Sequence, residues 1–129
     1  MNYKIFIVED DLTSRMLMGK YLSRYGVCET ANNGIEAIEV FTEAIKNQPF
    51  DLICLDVMMP KVDGIRTLKS IRTIEHQFRI KNGAKIIMTT ALTDHSTMNE
   101  AFDNGCEAYV SKPIDLEKFN DILQELGLI

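Results

Sequence analysis

Two acidic segments of this 129-residue chain stand where chemistry is to be expected. Glu9-Asp10-Asp11 follows directly on the apolar run Ile5-Phe6-Ile7-Val8, and Asp56 follows directly on Leu52-Ile53-Cys54-Leu55. An unbroken apolar run of this length suits a parallel strand covered on both faces. Both sets of acids then lie at C-terminal strand ends, where open α/β sheets gather their ligands. A single strand-end Asp more often caps a turn, but two strand ends presenting acids together point to a site. Carboxylates converging in one crevice repel one another, so they are stable at neutral pH when protons are taken up or a cation is held. Mg²⁺ suits such a set, because it is typically held by one or two carboxylates while waters and a phosphate oxygen fill its shell. An aspartate beside that ion can attack phosphorus and form an aspartyl phosphate. A transferred phosphoryl group also needs neutralisation and a hydrogen-bond donor. Thr90, closing the run Ala84 to Thr90, offers a hydroxyl, and Lys112, before Pro113, offers an ammonium. Taken singly, each is an ordinary strand or surface residue, and the constellation carries the weight.

The elements that must position these groups can be read in order. Ile5 to Val8 is a first strand, and Asp11 or Thr13 caps the helix after it, with Leu17, Met18, Tyr21, Leu22 and Tyr25 on its core face and Gly26 as its stop. Val27 to Ala31 is a short second strand. Asn33-Gly34 opens a helix burying Ala37, Ile38, Phe41 and Ile45, ended by Asn47, Gln48 and Pro49. The central strand, bounded by Pro49 and Pro60, leads through Asp63-Gly64 into a third helix with Ile65, Leu68, Ile71 and Phe78 inward. Arg79 to Gly83 is a solvated connection, and Ala84 to Thr90 is the fourth strand. Asp94 to Asn104 is a thinly apolar helix with Met98, Ala101 and Phe102 on its inner face and Gly105 as its end, so mobility is expected there. Glu107 to Val110 is a fifth strand. Asp115 caps a last helix carrying Leu116, Phe119, Ile122, Leu123 and Leu126. Five strands alternating with five helices predict an α/β, three-layer sandwich with an all-parallel sheet. The expected arrangement is a flavodoxin-like (βα)5 fold with strand order 2-1-3-4-5. That order places strands one and three side by side at its switch point, bringing Glu9, Asp10 and Asp56 together.

Composition narrows the function classes. The length suits one domain over residues 1–129, and no residues remain for an output module. Lys and Arg number 14 against 19 acids, a formal charge of −5, with no basic stripe, which argues against direct nucleic-acid binding. No apolar run approaches the roughly 18 residues that a membrane span needs. No signal peptide or anchor is visible, and Met1 and the short Leu126-Gly127-Leu128-Ile129 end suggest a complete small protein. Cys28, Cys54 and Cys106 lack CxxC spacing and lie in or beside apolar segments, as small core residues of a reducing cytoplasm do.

Over essentially its whole length the chain resembles the response-regulator receiver family. The matching motifs are Val8-Glu9-Asp10-Asp11, Leu55-Asp56-Val57-Met58-Met59-Pro60 with Asp63-Gly64, Thr89-Thr90-Ala91, and Lys112-Pro113. The resemblance implies that Asp56 accepts a phosphoryl group from a phosphohistidine on a sensor histidine kinase or histidine phosphotransfer protein. It implies that Asp10 binds Mg²⁺ directly, that Glu9 acts in the same pocket through water, and that the backbone carbonyl of Met58 completes the protein's ligand set. Thr90, with Ala91 after it, and Lys112 with Pro113 would meet the phosphoryl oxygens. Tyr109 would be the aromatic switch, and the Lys112-Pro113 bond would be cis. Onward relay, or a downstream protein target reading the fourth helix, fifth strand and fifth helix, would follow. The resemblance also makes Met58 and Leu92 the residues best placed to orient a hydrolytic water. Both are apolar, so a slowly decaying phosphoryl group is expected. Glu9, where the commoner residue is Asp, is a departure that bears on metal affinity.

Two other classes compete. A Mg²⁺-dependent phosphohydrolase of the haloacid-dehalogenase type usually needs a second Asp two residues after its nucleophile, where this chain has Met58. A flavin carrier of the same topology should offer hydroxyls and amides in its first loop, where Glu9-Asp10-Asp11 presents anions to an anion.

Overall fold

The computed structural model describes residues 2–59, 63–91 and 95–129. Pro60, Leu92 and Asp94, each used in the sequence reading, lie outside the described residues. The strands are β1 (Tyr3–Val8), β2 (Gly26–Ala31), β3 (Leu52–Asp56), β4 (Lys85–Thr90) and β5 (Ala108–Ser111). Alternating with them are the helices α1 (Leu12–Leu22), α2 (Gly34–Asn47), α3 (Gly64–Gln77), α4 (His95–Asp103) and α5 (Leu116–Glu125). All strand pairs are parallel, and the order is β2-β1-β3-β4-β5, as the crossover argument requires.

The period-2 alternation of the strands splits the core into two layers. Phe6, Val8, Ile53, Leu55, Ile86 and Met88 meet Ala37 and Phe41 of α2 and Leu68 and Ile71 of α3. Ile5, Ile7, Leu52, Cys54 and Ile87 meet Met18, Tyr21 and Leu22 of α1 and Phe119 and Leu123 of α5. Each buried Val, Leu, Ile, Phe or Met among them contributes about 2 kcal/mol of transfer free energy, before the entropy of ordering is set against it. β3 is buried at every position, which explains its continuous apolar run.

The helix caps follow local chemistry. Asp11, Asn33, Asp63 and Asp115 each accept a backbone N–H from the first turn of the helix they precede. Between the alternatives Asp11 and Thr13, Asp11 is therefore the cap of α1.

Several expectations of burial are corrected. Leu17, Phe78, Phe102 and Leu116 are exposed. α1 carries more apolar residues than one core-facing stripe can hold, so Leu12, Met16 and Leu17 face outward. Gly26 is not the stop of α1, which ends at Leu22 with Ser23 as its C-cap. It is instead the first residue of β2, where a Cβ would stand 1.9 Å from the carbonyl oxygen of Tyr3.

At the N-terminal end of the sheet Arg72 of α3 joins three elements. Its guanidinium donates to the carbonyls of Gly105 (2.7 Å) and Ala84 (2.9 Å) and pairs with Glu75 (2.7 Å) and Glu107 (2.9 Å). The carboxylates in turn accept N–H groups from Ala84 (2.7 Å) and Ile86 (2.6 Å). Glu75 also receives the N–H of Ile80 on its carbonyl at 3.0 Å, so the solvated connection at 79–83 is tied at both ends. Cys54 and Cys106 are buried, Cys28 is partly so, and all three are free thiols. Burial raises all three thiol pKa values, that of Cys106 to about 11, which leaves them protonated at neutral pH.

Candidate functional site

The site forms where β1 and β3 end side by side. Val8 pairs with Leu55, so Glu9 and Asp56 are the next residues of adjacent strands. The N–H of Glu9 continues the ladder onto Ala31 (3.0 Å), and the N–H of Val57 does so onto Thr89 (3.0 Å). Because the side chain of Asp11 is turned to the N–H of Ser14 (2.8 Å), Asp10 is the acid left to face the crevice. One ligand oxygen each of Glu9, Asp10 and Asp56 lies within 4.8 Å of the others. Glu9 and Asp56 are 4% and 3% exposed, whereas Asp10 is open to solvent.

Lys112 supplies the compensating charge. Its Nζ forms a close ion pair with Oε1 of Glu9 and stands 3.1 Å from Oδ2 of Asp56. Glu9 also accepts the N–H of Asp11 (3.1 Å), and Oδ1 of Asp56 accepts the N–H of Met58 (3.2 Å). Among the described residues, no buried side-chain polar atom lacks a partner. The Lys112-Pro113 bond is cis, as the family resemblance implied. The N–H of Lys112 is held by the carbonyl of Thr90 at 2.7 Å. Thr90 is fully buried at the end of β4, opposite Ser111. Tyr109 is half-buried and packs against the core on the α2 and α3 side. Ala91 and Pro113 are exposed at the rim.

The electrostatics follow from this packing. Burial pushes the Glu9 carboxyl above its ordinary pKa and the nearby Asp56 adds to that, outweighing the hydrogen bonds from Lys112 and Asp11. For Lys112, burial opposes the charged form, but the hydrogen bonds and charges of Glu9 and Asp56 prevail and raise its pKa. Asp11 is held below the ordinary range by the N–H and side chain of Ser14.

Two cavities flank the acids. One of about 570 Å³ lies between the start of α1 and the start of α5, walled by Glu9, Leu17, Lys112, Ile114 and Leu116. The other, of about 510 Å³, lies toward α3 and α4, walled by Asp10, Met58, Asp63, Arg66 and Thr97. Sequence reasoning placed Leu17 and Leu116 in the core, yet they are 64% and 50% exposed and form an apolar mouth. The signal available was the excess of apolar residues around α1. Arg15 was also missed: its Nη1 donates to the carbonyl of Glu9 at 2.9 Å. The acids, Thr90 and Lys112 are at the strand ends where the sequence put them.

A family model described as the response regulator receiver domain matches residues 5–124. The chemotaxis protein CheY of Bacillus subtilis is 33% identical over 120 residues, covering 92% of this chain and 92% of that protein. Hybrid signal transduction histidine kinase K of Dictyostelium discoideum is 34% identical over 125 residues, covering 94% of this chain and 10% of that protein. The chain thus spans nearly all of one relative and about a tenth of another. The receiver domain of the histidine kinase CKI1 from Arabidopsis thaliana, complexed with Mg²⁺ and BeF3⁻, has the same fold, with a TM-score of 0.85 at 24% identity over 97% of this chain and 89% of that one. With the (βα)5 sheet order, the acids at its switch point and the family model over nearly all its length, this chain belongs to the response regulator receiver domain family.

Proposed function

We propose that Asp56 is the phosphoacceptor of a phosphorelay switch and that Glu9, Asp10, Asp56 and the carbonyl of Met58 form its Mg²⁺ site. The observation that carries this reading is the convergence of three carboxylates within 4.8 Å of one another, with the Lys112 ammonium already on two of them. The donor set fits the ion, since it consists of hard oxygens whose mutual repulsion a divalent cation relieves. When bound, Mg²⁺ would neutralise charge on the phosphoryl oxygens. A carboxylate oxygen of Asp56 attacks the phosphorus of a phosphohistidine. The new O–P bond forms as the N–P bond breaks, and the imidazole nitrogen leaves with the electron pair. Lys112 and the hydroxyl of Thr90 stabilise the transferred group, and Ala91 and Pro113 shape the rim.

The partner that delivers the group is a sensor histidine kinase or a histidine phosphotransfer protein. Asp56 is buried, so the donor must dock at the mouth, where Leu17, Ile114 and Leu116 offer an apolar rim. The phosphorylated chain then acts by binding a downstream target through α4, β5 with Tyr109, and α5, or by passing the group on. It is a switch in the cytoplasm, in which one receiver unit takes up and loses a phosphoryl group, and not a turnover enzyme. It reaches neither nucleic acid nor membrane itself. Among the described residues no helix is long and apolar enough to cross a membrane.

Incubation with acetyl phosphate, with and without Mg²⁺, followed by mass spectrometry tests the assignment. One phosphoryl group is expected, only with the metal, and none on Asp56→Asn. Undiminished label on that variant, mapped to another residue, overturns it.

A further inference from the structure

We propose that Arg15 is a positioning residue for the acidic cluster: its guanidinium reaches back from α1 and fixes the turn that aims Glu9 and Asp10 at Asp56. The inference rests on the reading of that cluster as a divalent-cation site. Glu9 to Asp11 lie between the last residue of β1 and the first of α1, held by the sheet only through the Glu9 N–H on Ala31 and by the helix only through the carbonyl of Asp11, its N-cap. Their conformation is set by side chains. The carboxylate of Glu9 takes the N–H of Asp11 (3.1 Å), and the carboxylate of Asp11 takes the N–H of Ser14 (2.8 Å). The Nη1 of Arg15 closes the turn by donating to the carbonyl of Glu9 at 2.9 Å, with the carbonyl of Asp10 at a longer 3.5 Å. A single nitrogen facing two successive carbonyls orients both peptide planes. Those planes determine where the side chains of the two acids point. The backbone N–H of Arg15 bonds the carbonyl of Asp11 at 2.9 Å as the first helical bond of α1, which fixes the base from which the side chain reaches back.

The chemistry favours Arg for this task. Its planar fork stays charged and presents donors in a fixed geometry, whereas a Lys ammonium offers a point charge on a flexible stem. Its charge also acts on the neighbouring carboxylate of Asp11, whose depressed pKa, set chiefly by Ser14, contains a lesser contribution from it. Groups that orient metal ligands without touching the metal typically account for 10- to 100-fold in affinity.

The test is titration of the full chain with Mg²⁺ alone, by calorimetry and by metal-induced amide shifts at residues 9–11, alongside the melting temperature without metal. Arg15→Met should weaken Mg²⁺ about 10-fold, and Arg15→Lys, which keeps the charge and can reach one carbonyl, about 3-fold. Lys20→Met, which removes a cation from an exposed position of the same helix, should bind as wild type does. A merely structural role would lower the metal-free melting temperature of Arg15→Met and leave its Mg²⁺ affinity unchanged, which overturns the proposal. An equal loss in Lys20→Met overturns it in favour of net charge. Should Arg15→Met not fold, Arg15→Lys decides, and wild-type affinity in that variant overturns the proposal. A wild-type chain that binds no Mg²⁺ overturns the metal reading itself, an outcome distinct from a wild type that binds and variants that bind equally.

Discussion

Burial raises the pKa of Glu9 while Lys112 and the N–H of Asp11 resist it, so the ionised form of this one side chain is disfavoured in the folded protein relative to the unfolded chain. For a group whose pKa is raised on folding, the stability it contributes is present below the unfolded value and is lost as pH rises through the folded value. Without metal, Glu9→Gln should therefore melt above wild type at pH 8, and the gap should close on acidification toward the ordinary carboxylate range. Calorimetric melts at a series of pH values check this, and a gap that widens on acidification would contradict the sign. In the proposed site protons and Mg²⁺ would compete for the same oxygens, so metal affinity should begin to fall at a higher pH than an ordinary Glu would give. Met58, two residues beyond Asp56, carries a separate prediction about the lifetime of the phosphoryl group. Its side chain is 55% exposed at the edge of the pocket, and a thioether cannot orient a water for in-line attack. Leu92, its partner in the sequence argument, lies outside the described residues. Met58→Asn with Leu92→Glu should speed loss of phosphate from the isolated protein about 10-fold, the effect of roughly 1.4 kcal/mol in the barrier. A double variant that decays no faster than wild type would sink the idea.

The junction of β3 with α3 shows how a backbone contact serves the chemistry. Gly64 opens α3, and its N–H donates to the carbonyl of Val57 at 2.8 Å. A Cβ there would lie 2.1 Å from the carbonyl oxygen of Asp56 and 2.6 Å from Cα of Val57, atoms that cannot yield without moving Asp56. Gly64→Ala should cost about 2 kcal/mol, the usual range for overpacking, and should slow phosphorylation by acetyl phosphate. Gly19→Ala is the control, because its Cβ would meet only Cδ1 of Ile7 at 4.0 Å. That variant should gain about 0.5–1 kcal/mol from helix propensity and label normally. Unchanged denaturant melts and labelling for Gly64→Ala would refute the argument. This junction also shows what the sequence disclosed. The continuous apolar runs marked β1, β3 and β4, and the acids that follow β1 and close β3 marked the site, because a parallel strand buried on both faces leaves no doubt where it ends. Leu17, Phe78, Phe102 and Leu116 misled because apolar residues at the rim of a helix-covered sheet have the same spacing as those beneath it. The Arg72, Glu75 and Glu107 cluster and the reach of Arg15 were not legible. Both depend on which carbonyls the topology exposes, and residue spacing does not encode that.

α4 is the least firmly packed helix, since Ala101 is its one buried residue among those described, while Phe102 faces solvent. Its C-terminal end is fixed through Gly105, whose carbonyl receives Arg72 at 2.7 Å, but its N-terminal end adjoins the site. Thr90 is the link. It pairs with Ser111 across the β4–β5 ladder, and its carbonyl holds the N–H of Lys112 at 2.7 Å, so displacement of Thr90 moves the end of β5 as well. Moving a two-state element from 1:99 to 99:1 takes about 5.5 kcal/mol of differential binding. On the proposed function, contacts from Thr90 and Lys112 to a phosphoryl group, at about 1.5–3 kcal/mol each for hydrogen bonds to a charged partner, would supply roughly 3–6. That bias is of the order such a shift requires, and α4, with the fewest buried residues among those described, is the helix expected to respond to it. In the unphosphorylated protein, amides of α4 should exchange faster than those of the other helices. Phosphorylation, or a beryllofluoride mimic with Mg²⁺, should change exchange in α4, β5 and the start of α5 and leave α2 as it was. Hydrogen exchange read by mass spectrometry on both states checks this. Unchanged exchange in α4 with altered exchange in α1 would place the output surface at the other side of the site.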